Sequence, residues 1–246
     1  MTVLSDKITA TSAELLSTPW ATRDGQVVPS TDSVAFKNGA VKIEATYLYA
    51  DLADSTKLQK LHTPEFAARV MRMYLSGACE IIRNAGGSIK SFDGDRVMGI
   101  FVGNQMRNTA ARVGLRINWL VDTVINPQIK EVFERHKQTP WVVTHGVGID
   151  CGEAFITRAG VRNKEGTTNH NDLISIGAAP NIAAKLSARR GTDYGPVWIT
   201  NRVYDFLDEG SKLGGAAKTN MWTGPAEAEA GPHAVYIYKS GWRWTP

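Results

Sequence analysis

The chain has 246 residues, 43% of them hydrophobic, and a formal net charge of +4. This length suits one large domain with a sizeable core. Two cysteines are too few for a disulfide framework, and no Cys-x-x-Cys or paired-histidine spacing predicts zinc. The basic residues are scattered rather than gathered into a stripe, and no apolar run is long enough to span a bilayer. We therefore predict a cytoplasmic protein with no nucleic-acid partner and no membrane span.

The chain order of predicted elements begins with a polar N-terminal extension, residues 1–40, followed by one domain, residues 41–246. The apolar alternation of "VKIEATYLYAD" predicts a strand that ends near Asp51. Thr63 and Pro64 predict the start of a long helix, as an N-cap and a proline in the first turn.

The rest of the chain continues to alternate strands and helices. The predicted elements are a hairpin over 88–101, a helix over 109–125, a short helix capped at Asn126, a strand over 141–150 turning into a second hairpin at 151–153, a helix from Pro180, and strands over 197–200 and 233–240. This order predicts an α+β fold, an α/β sandwich in which helices cover a mixed sheet.

The segment "DLADST" carries polar side chains directly after the first predicted strand. A carboxylate at a strand end, here Asp51, suits Mg²⁺, and exposed amides beside Asp54, Ser55 and Thr56 suit phosphates. The alternative is that these three residues only cap a turn. A phosphatase motif of the Asp-x-Asp-x-Thr type does not fit, because Asp51 and Asp54 are three residues apart and point different ways along an extended segment.

The hairpin "SIKSFDGDRVMGIF" has two acids at its turn. Asp93 precedes a glycine and is explained by turn chemistry, which is also the alternative for Asp95. If the hairpin pairs beside the first strand, Asp95 lies next to Asp51. Two such carboxylates can hold a pair of metal ions for phosphate chemistry.

The segment "IGAAPNIAAKL" places an amide and a cation four residues apart in a predicted helix. Asn181 and Lys185 therefore share a helix face, which suits a ribose and a phosphate. The alternative is a helix of small residues with solvated polar positions.

Taken in order, "TYLYADLADST", "GGSIKSFDGDRVMGIF", "THGVGIDCGEAF" and "ISIGAAPNIAAKL" resemble the class III nucleotidyl cyclase catalytic domain, over about residues 41–200. The resemblance implies a ferredoxin-like core that forms a head-to-tail homodimer with active sites across the interface. It implies two Mn²⁺ or Mg²⁺ ions per site, bound by Asp51, Asp95 and the Leu52 carbonyl. It also implies that Asn181 orients the ribose, whose 3′-hydroxyl attacks the α-phosphate and releases pyrophosphate.

Three positions depart from the adenylate cyclase pattern. Ser91 stands where a lysine reads adenine, and Lys90, one residue away, faces the other way by strand alternation. Ile174 occupies the second adenine-reading position, and Lys185 replaces the transition-state arginine, keeping its charge but not its fork. Adenine would leave its buried polar groups unpaired against Ser91 and Ile174.

These departures, with Tyr49 in place of the usual phenylalanine, resemble the bacterial pyrimidine cyclases of Pycsar anti-phage systems. That resemblance implies a UTP substrate, or CTP as the alternative, and a cyclic nucleotide that activates a separate effector protein. Tyr49 and Arg96 are predicted to contact the base or phosphate, with a core tyrosine and a surface arginine as the alternatives. An adenylate cyclase or a non-catalytic nucleotide-binding domain of this family are the remaining hypotheses.

Overall fold

The computed structural model describes residues 2–137, 139–161, 170–190 and 195–246. The helices are α1 (Val3–Ser17), α2 (Ser55–Leu61), α3 (Pro64–Asn84), α4 (Met106–Trp119), α5 (Asn126–Arg135), α6 (Ala178–Ser187), α7 (Asn201–Tyr204) and α8 (Glu209–Lys212). The strands are β1 (Ala21–Asp24), β2 (Gly39–Leu52), β3 (Ser88–Asp93), β4 (Arg96–Phe101), β5 (His145–Val161), β6 (His170–Ile176), β7 (Val197–Thr200), β8 (Leu213–Gly214), β9 (Thr219–Asn220), β10 (Thr223–Ala230) and β11 (His233–Ser240).

The chain divides into two compact units. The larger comprises Ala45–Gly152 and Ala178–Pro246, and the smaller comprises Met1–Glu44 and Glu153–Gly177. The main sheet path runs β10-β11-β7-β5-β2-β4-β3. The pairs β3–β4, β2–β4, β7–β11 and β10–β11 are antiparallel, whereas β5 and β7 are parallel. The predicted α+β fold, a mixed and mainly antiparallel sheet with helices, is confirmed.

In the larger unit the sheet carries helices on both faces. Alternate residues of β2, including Leu48 and Ala50, belong to the main core with the apolar faces of α3 and α4. The helix α6 covers the opposite face, where Ile182 and Leu186 pack against Ile237. Since strand side chains alternate between faces, Asp51 lies on the same side of the sheet as α6.

The helix α3 forms as its sequence predicts. The Thr63 side chain accepts a hydrogen bond from the Phe66 amide at 3.3 Å, which caps the first turn. Its buried residues recur at the three- and four-residue spacing of one helix face, with Ile81 and Ile82 adjacent at the end, so this face packs on the core: Ala67, Val70, Tyr74, Ala78, Ile81 and Ile82.

The smaller unit holds α1, β1, β6 and the ends of two long strands. Here β1 runs parallel to the start of β2, and β6 runs antiparallel to the second half of β5. Trp20 packs edge-on against Phe155, with ring centroids 5.0 Å apart. The division of the chain into an extension over 1–40 and a domain over 41–246 stays a prediction.

Two local predictions are wrong. The predicted hairpin at Cys151–Glu153 is absent, because β5 continues as one strand from His145 to Val161. Asn126 is not an N-cap, since a π-helical turn over Leu120–Ile125 joins α4 to α5 without a break and gives Asn126 helical dihedral angles. Its side chain instead pairs with the backbone of Val143. Among the described residues, no helix is both long and apolar enough to cross a membrane.

Candidate active site

The two predicted metal aspartates lie side by side at one end of the sheet. β2 and β4 are antiparallel and place Asp51 directly opposite Arg96. The Leu52 amide then donates a hydrogen bond to the Asp95 carbonyl at 3.3 Å. The turn of the β3–β4 hairpin therefore lies against the end of β2, and the predicted pairing of the two segments is confirmed.

The carboxylate of Asp51 is buried and held by two arginines. Its exposed fraction is 7% for the whole residue. Arg96 Nε donates to Oδ1 at 3.1 Å, and Arg190 Nη2 donates to Oδ2 at 2.8 Å. A buried carboxylate is stable only where charge-assisted hydrogen bonds replace its hydrogen bonds to water. Both oxygens of Asp51 therefore lie where cationic groups can bind them.

A groove of about 550 Å³ opens over this pair of aspartates. Besides Leu52 it is lined by three acids, two hydroxyls and four cations: Asp51, Asp54, Asp95, Ser55, Thr56, Lys57, Lys60, Arg96 and Arg190. Carboxylates at its base and cations around them match the opposite needs of metal ions and of a triphosphate.

The donor set fits divalent metal ions that are shared with a substrate. In the part of the chain that the structure describes, no group of three or more His, Cys, Asp or Glu side chains is arranged so that it could hold a metal ion by itself. Mg²⁺ commonly binds one or two carboxylates and completes its shell with water and phosphate oxygens. Asp51, Asp95 and the Leu52 carbonyl can supply the protein's share of such a shell.

Two buried polar side chains lie beneath the groove. Tyr74 is completely buried, and its hydroxyl finds no hydrogen-bond partner among the described residues. Burial, together with the charges of Asp51 and Asp95, raises the pKa of Tyr74 well above its usual value. The imidazole of His145 lies 6.2 Å from the Tyr74 ring, centroid to centroid. Both groups are therefore uncharged at neutral pH.

His145 is expected to make the protein less stable in mild acid. The pKa of its imidazole is lowered to about 4, mainly by burial, while the charge of Asp122 opposes the shift and that of Arg190 adds to it. The unfolded chain takes up this proton near pH 6.5, so stability is lost as the pH falls from there towards about 4. Between about pH 7.5 and about pH 5, the wild type should lose about 2 kcal/mol more unfolding free energy than His145→Gln.

Urea unfolding at the two pH values measures this difference. His136→Gln, at an exposed position, is the matched control and should follow the wild type. An equal loss of stability in the wild type and His145→Gln would contradict a buried neutral imidazole.

The remaining predicted residues lie on four elements, β2, β3, α6 and β6. Tyr49 is half-buried on β2, on the same face as Asp51, and burial raises the pKa of its phenol while the Arg96 charge opposes this. Ser91 is half-buried on β3 opposite Met98. Asn181 and Lys185 are exposed on α6 and do not line the groove of their own chain. Ile174 belongs to the smaller unit, on β6 opposite Thr157.

The structure bears on two interpretations made from the local sequence, the alternation at Lys90 and the capping role of Asp54. The register between β3 and β4 shifts between Ile89 and Ser91, so one extra residue interrupts the strand alternation there. Strict alternation therefore does not apply at Lys90, and its facing away from Ser91 stays a prediction. Asp54 precedes α2 with a left-handed φ of 58° and makes no capping hydrogen bond through its side chain, so capping does not explain it.

Three residues that line this groove, Lys57, Lys60 and Arg190, were not predicted from the sequence, and Arg190 is the one bonded to Asp51. It follows the end of α6, which approaches β5 closely because Gly146 and Gly148 have no side chains. A Cβ at Gly148 would lie 2.1 Å from the Ala183 carbonyl oxygen, and one at Gly146 would lie 2.2 Å from that of Ser187. The alternating glycines of "HGVG" were the available signal that a helix packs on this strand.

The fold matches solved cyclase structures. The adenylyl cyclase CyaB from P. aeruginosa superposes with a TM-score of 0.62 at 17% identity, over 82% of this chain and 95% of that one. The guanylyl cyclase Cya2 gives a TM-score of 0.61 at 19% identity, over 83% and 95%. The fold is therefore that of the class III nucleotidyl cyclases.

Sequence relatives define the family more closely. A uridylate cyclase of Rhodovulum sp. (strain MB263) is 35% identical over 89% of this chain and 88% of its own length. Those of Xanthomonas perforans and Burkholderia cepacia are 34% and 35% identical over 98% of this chain. No family model matches the chain. The chain belongs to the family of these relatives and is an enzyme, a phosphorus–oxygen lyase of the nucleotide cyclase type.

Proposed function

We propose that this protein is a uridylate cyclase, which converts UTP to 3′,5′-cyclic UMP and pyrophosphate. The observation that carries the chemistry is the adjacency of Asp51 and Asp95 at the base of a groove with four cations. The choice of UTP rests on the names of the relatives. It also rests on Ser91 and Ile174, which stand where adenylate cyclases have the two polar side chains that bind adenine. CTP, which differs from UTP at one donor-to-acceptor position, is the alternative substrate.

Asp51, Asp95 and the Leu52 carbonyl are proposed to hold two Mn²⁺ or Mg²⁺ ions. Such ions, when bound, activate an attacking oxygen and neutralise the charge on a phosphoryl group. Lys57, Lys60 and the hydroxyls of Ser55 and Thr56 line the same groove and are placed to bind the phosphate chain. Asp54, also in the lining, is proposed to help order this end of the nucleotide.

The active site is proposed to form across a head-to-tail homodimer. Asn181 and Lys185 are exposed on α6, outside the groove of their own chain, so a second chain would have to bring them to the nucleotide. There Asn181 would orient the ribose, and Lys185 would stabilise the transition-state charge. Tyr49 and Arg96, beside Asp51, are proposed to contact the base or phosphate.

The activity test is incubation of the purified protein with Mn²⁺ and each of the four ribonucleoside triphosphates, followed by mass spectrometry of the products. Cyclic UMP is expected as the main product. Cyclic CMP as the main product would mean that the protein is a cytidylate cyclase. Cyclic AMP as the main product would contradict the assignment of a pyrimidine substrate. No product from any triphosphate would indicate a non-catalytic domain. UTP lacking the 3′-hydroxyl is the matched control, because it has no nucleophile for cyclisation.

The product is further proposed to act in the cytoplasm as a second messenger of anti-phage defence, through a separate effector protein. The likeness to the uridylate cyclases supports the messenger. The test is to measure cyclic UMP in bacteria that express this chain, before and after phage infection. A rise after infection is expected, and a level that infection leaves unchanged would contradict the role.

A further inference from the structure

Arg190 connects the end of α6 to the buried aspartate. Its Nη2 donates to Asp51 Oδ2 at 2.8 Å, while its Nη1 donates to the backbone carbonyls of Ser187 at 2.7 Å and Arg189 at 2.9 Å. The side chain of Arg190 is 40% exposed, whereas that of Asp51 is 10% exposed. One end of the guanidinium is thus anchored to the helix, and the other end is accessible from the groove.

The chain makes room for this guanidinium at a glycine. A Cβ added at Gly146 would lie 2.7 Å from Arg190 Nη1. Real Cβ atoms do not approach other heavy atoms so closely, so any side chain at this position would push Arg190 away from Asp51. The contact between Arg190 and Asp51 therefore depends on the close packing of α6 against β5 at Gly146.

The bond to Asp51 conflicts with the role proposed for that aspartate. Both carboxylate oxygens are already occupied by guanidinium groups, Oδ1 by Arg96 and Oδ2 by Arg190. A divalent cation must bind at least one of these oxygens. Its positive charge would then repel the guanidinium groups that are bonded to the same carboxylate. Each oxygen keeps a second lone pair for a metal ion, so it is the repulsion between the two cations that favours the departure of one arginine when metal is bound.

Arg190 is the arginine that can move. Arg96 lies on β4 directly opposite Asp51 in the strand ladder, so its backbone is fixed at this distance. Arg190 lies beyond the end of α6, and only its side chain reaches the aspartate. Since Arg190 also lines the groove with Lys57 and Lys60, its released Nη2 faces the space given to the phosphates.

We propose that Arg190 is a displaceable counter-ion: it occupies Asp51 Oδ2 in the metal-free protein and moves to the triphosphate when a divalent cation binds. This inference rests on the proposed cyclase function. Arg190 then supplies the forked, bidentate phosphate contact that Lys185 cannot make. The contact between Arg190 and Asp51 also gives the buried carboxylate a second charged partner, beside Arg96, when no cation is bound.

The first test measures Mn²⁺ binding without nucleotide, by the loss of the free Mn²⁺ signal in electron paramagnetic resonance. Arg190→Gln removes the competing guanidinium and should tighten Mn²⁺ binding about tenfold. Arg190→Lys keeps the charge without the fork and should give an intermediate affinity. Unchanged or weaker Mn²⁺ binding in Arg190→Gln would overturn the proposal.

The matched control is Arg189→Gln, which removes the same charge from the adjacent residue. Arg189 lies over the Trp198 ring, 5.1 Å from its centroid, and does not line the groove of Asp51. The Mn²⁺ affinity of Arg189→Gln should stay within about twofold of the wild type at moderate salt, because this guanidinium lies over Trp198, outside the groove, and its half-exposed charge is screened. An equal gain in both variants would mean that general electrostatics, and not displacement, sets the affinity, which also overturns the proposal.

The second test measures binding of a non-hydrolysable UTP analogue in the presence of saturating Mn²⁺. Arg190→Gln should weaken analogue binding about tenfold, opposite in sign to its effect on the metal. Analogue binding equal to the wild type would refute the transfer to the phosphates. If the wild type binds Mn²⁺ and the analogue but forms no cyclic product, the proposed function fails while the inference on Arg190 still stands or falls on these affinities.

Discussion

Asp95→Ala is expected to lower the rate of cyclic nucleotide formation by at least about 1,000-fold. Loss of the proposed metal ligand removes several kcal/mol of charge stabilisation, and each 1.36 kcal/mol is tenfold in rate. Asp95 is half-exposed at a hairpin turn, and its backbone carbonyl, which bonds to the Leu52 amide, is retained in the variant. The fold and its melting temperature should therefore change little. Pyrophosphate release and circular dichroism measure the two effects.

Mixing two inactive variants tests the proposed dimer with the same substitution. Asn181→Ala, mixed in equal amount with Asp95→Ala, should restore about a quarter of the wild-type rate, because half of the dimers are mixed and each has one intact site. Asn181→Ala alone is the control for residual activity. Activity near wild type in Asp95→Ala would refute the metal assignment, and no recovery in the mixture would refute sites shared between chains.

Gly148→Ala is expected to destabilise the protein by about 3 kcal/mol and to reduce activity strongly, since overpacking a close contact typically costs 1–3 kcal/mol and occasionally more. The added Cβ would lie 2.1 Å from the Ala183 carbonyl oxygen and 2.4 Å from the Ser187 amide nitrogen. Both atoms belong to the backbone of α6, which must shift away from β5. Urea unfolding measures the loss of stability.

A second glycine provides the control for this prediction. At Gly210, in α8, an added Cβ would meet only the ends of Arg112 and Asp208 side chains, at 3.4 and 3.7 Å. Gly210→Ala should therefore be neutral or slightly stabilising, because alanine favours the helical state. Unfolding of Gly148→Ala at the wild-type urea concentration would show that α6 does not pack on β5 as closely as described.

The sequence predicted the elements whose signals are local. The boundaries of β2 and α3 follow from apolar periodicity, a threonine N-cap and a proline in the first turn. The hairpin of β3 and β4 follows from Asp-Gly between apolar segments, and its pairing beside β2 brought Asp95 to Asp51 as expected. These features depend on residues within a few positions of one another.

Features that depend on distant partners were predicted wrongly or missed. Cys151-Gly152-Glu153 has the composition of a turn, but β5 continues through it as one strand, which pairs with β7 before it and with β6 after it. Asn126 has the composition of a cap, but the helix continues through it and its amide bonds to Val143. Tertiary hydrogen bonds outweigh local preference in both cases.

The sequence by itself predicted the class of fold, the adjacency of Asp51 and Asp95 and the order of the four segments that resemble a cyclase. Each of these predictions needs only the spacing of residues along one chain. Only the tertiary structure decided that Arg190 lies on Asp51. These residues are far apart in sequence, and their contact depends on two glycines that let α6 approach β5. The distance between a helix and a strand is set by packing. The sequence shows the two glycines, but it does not show that α6 is the element that packs on them.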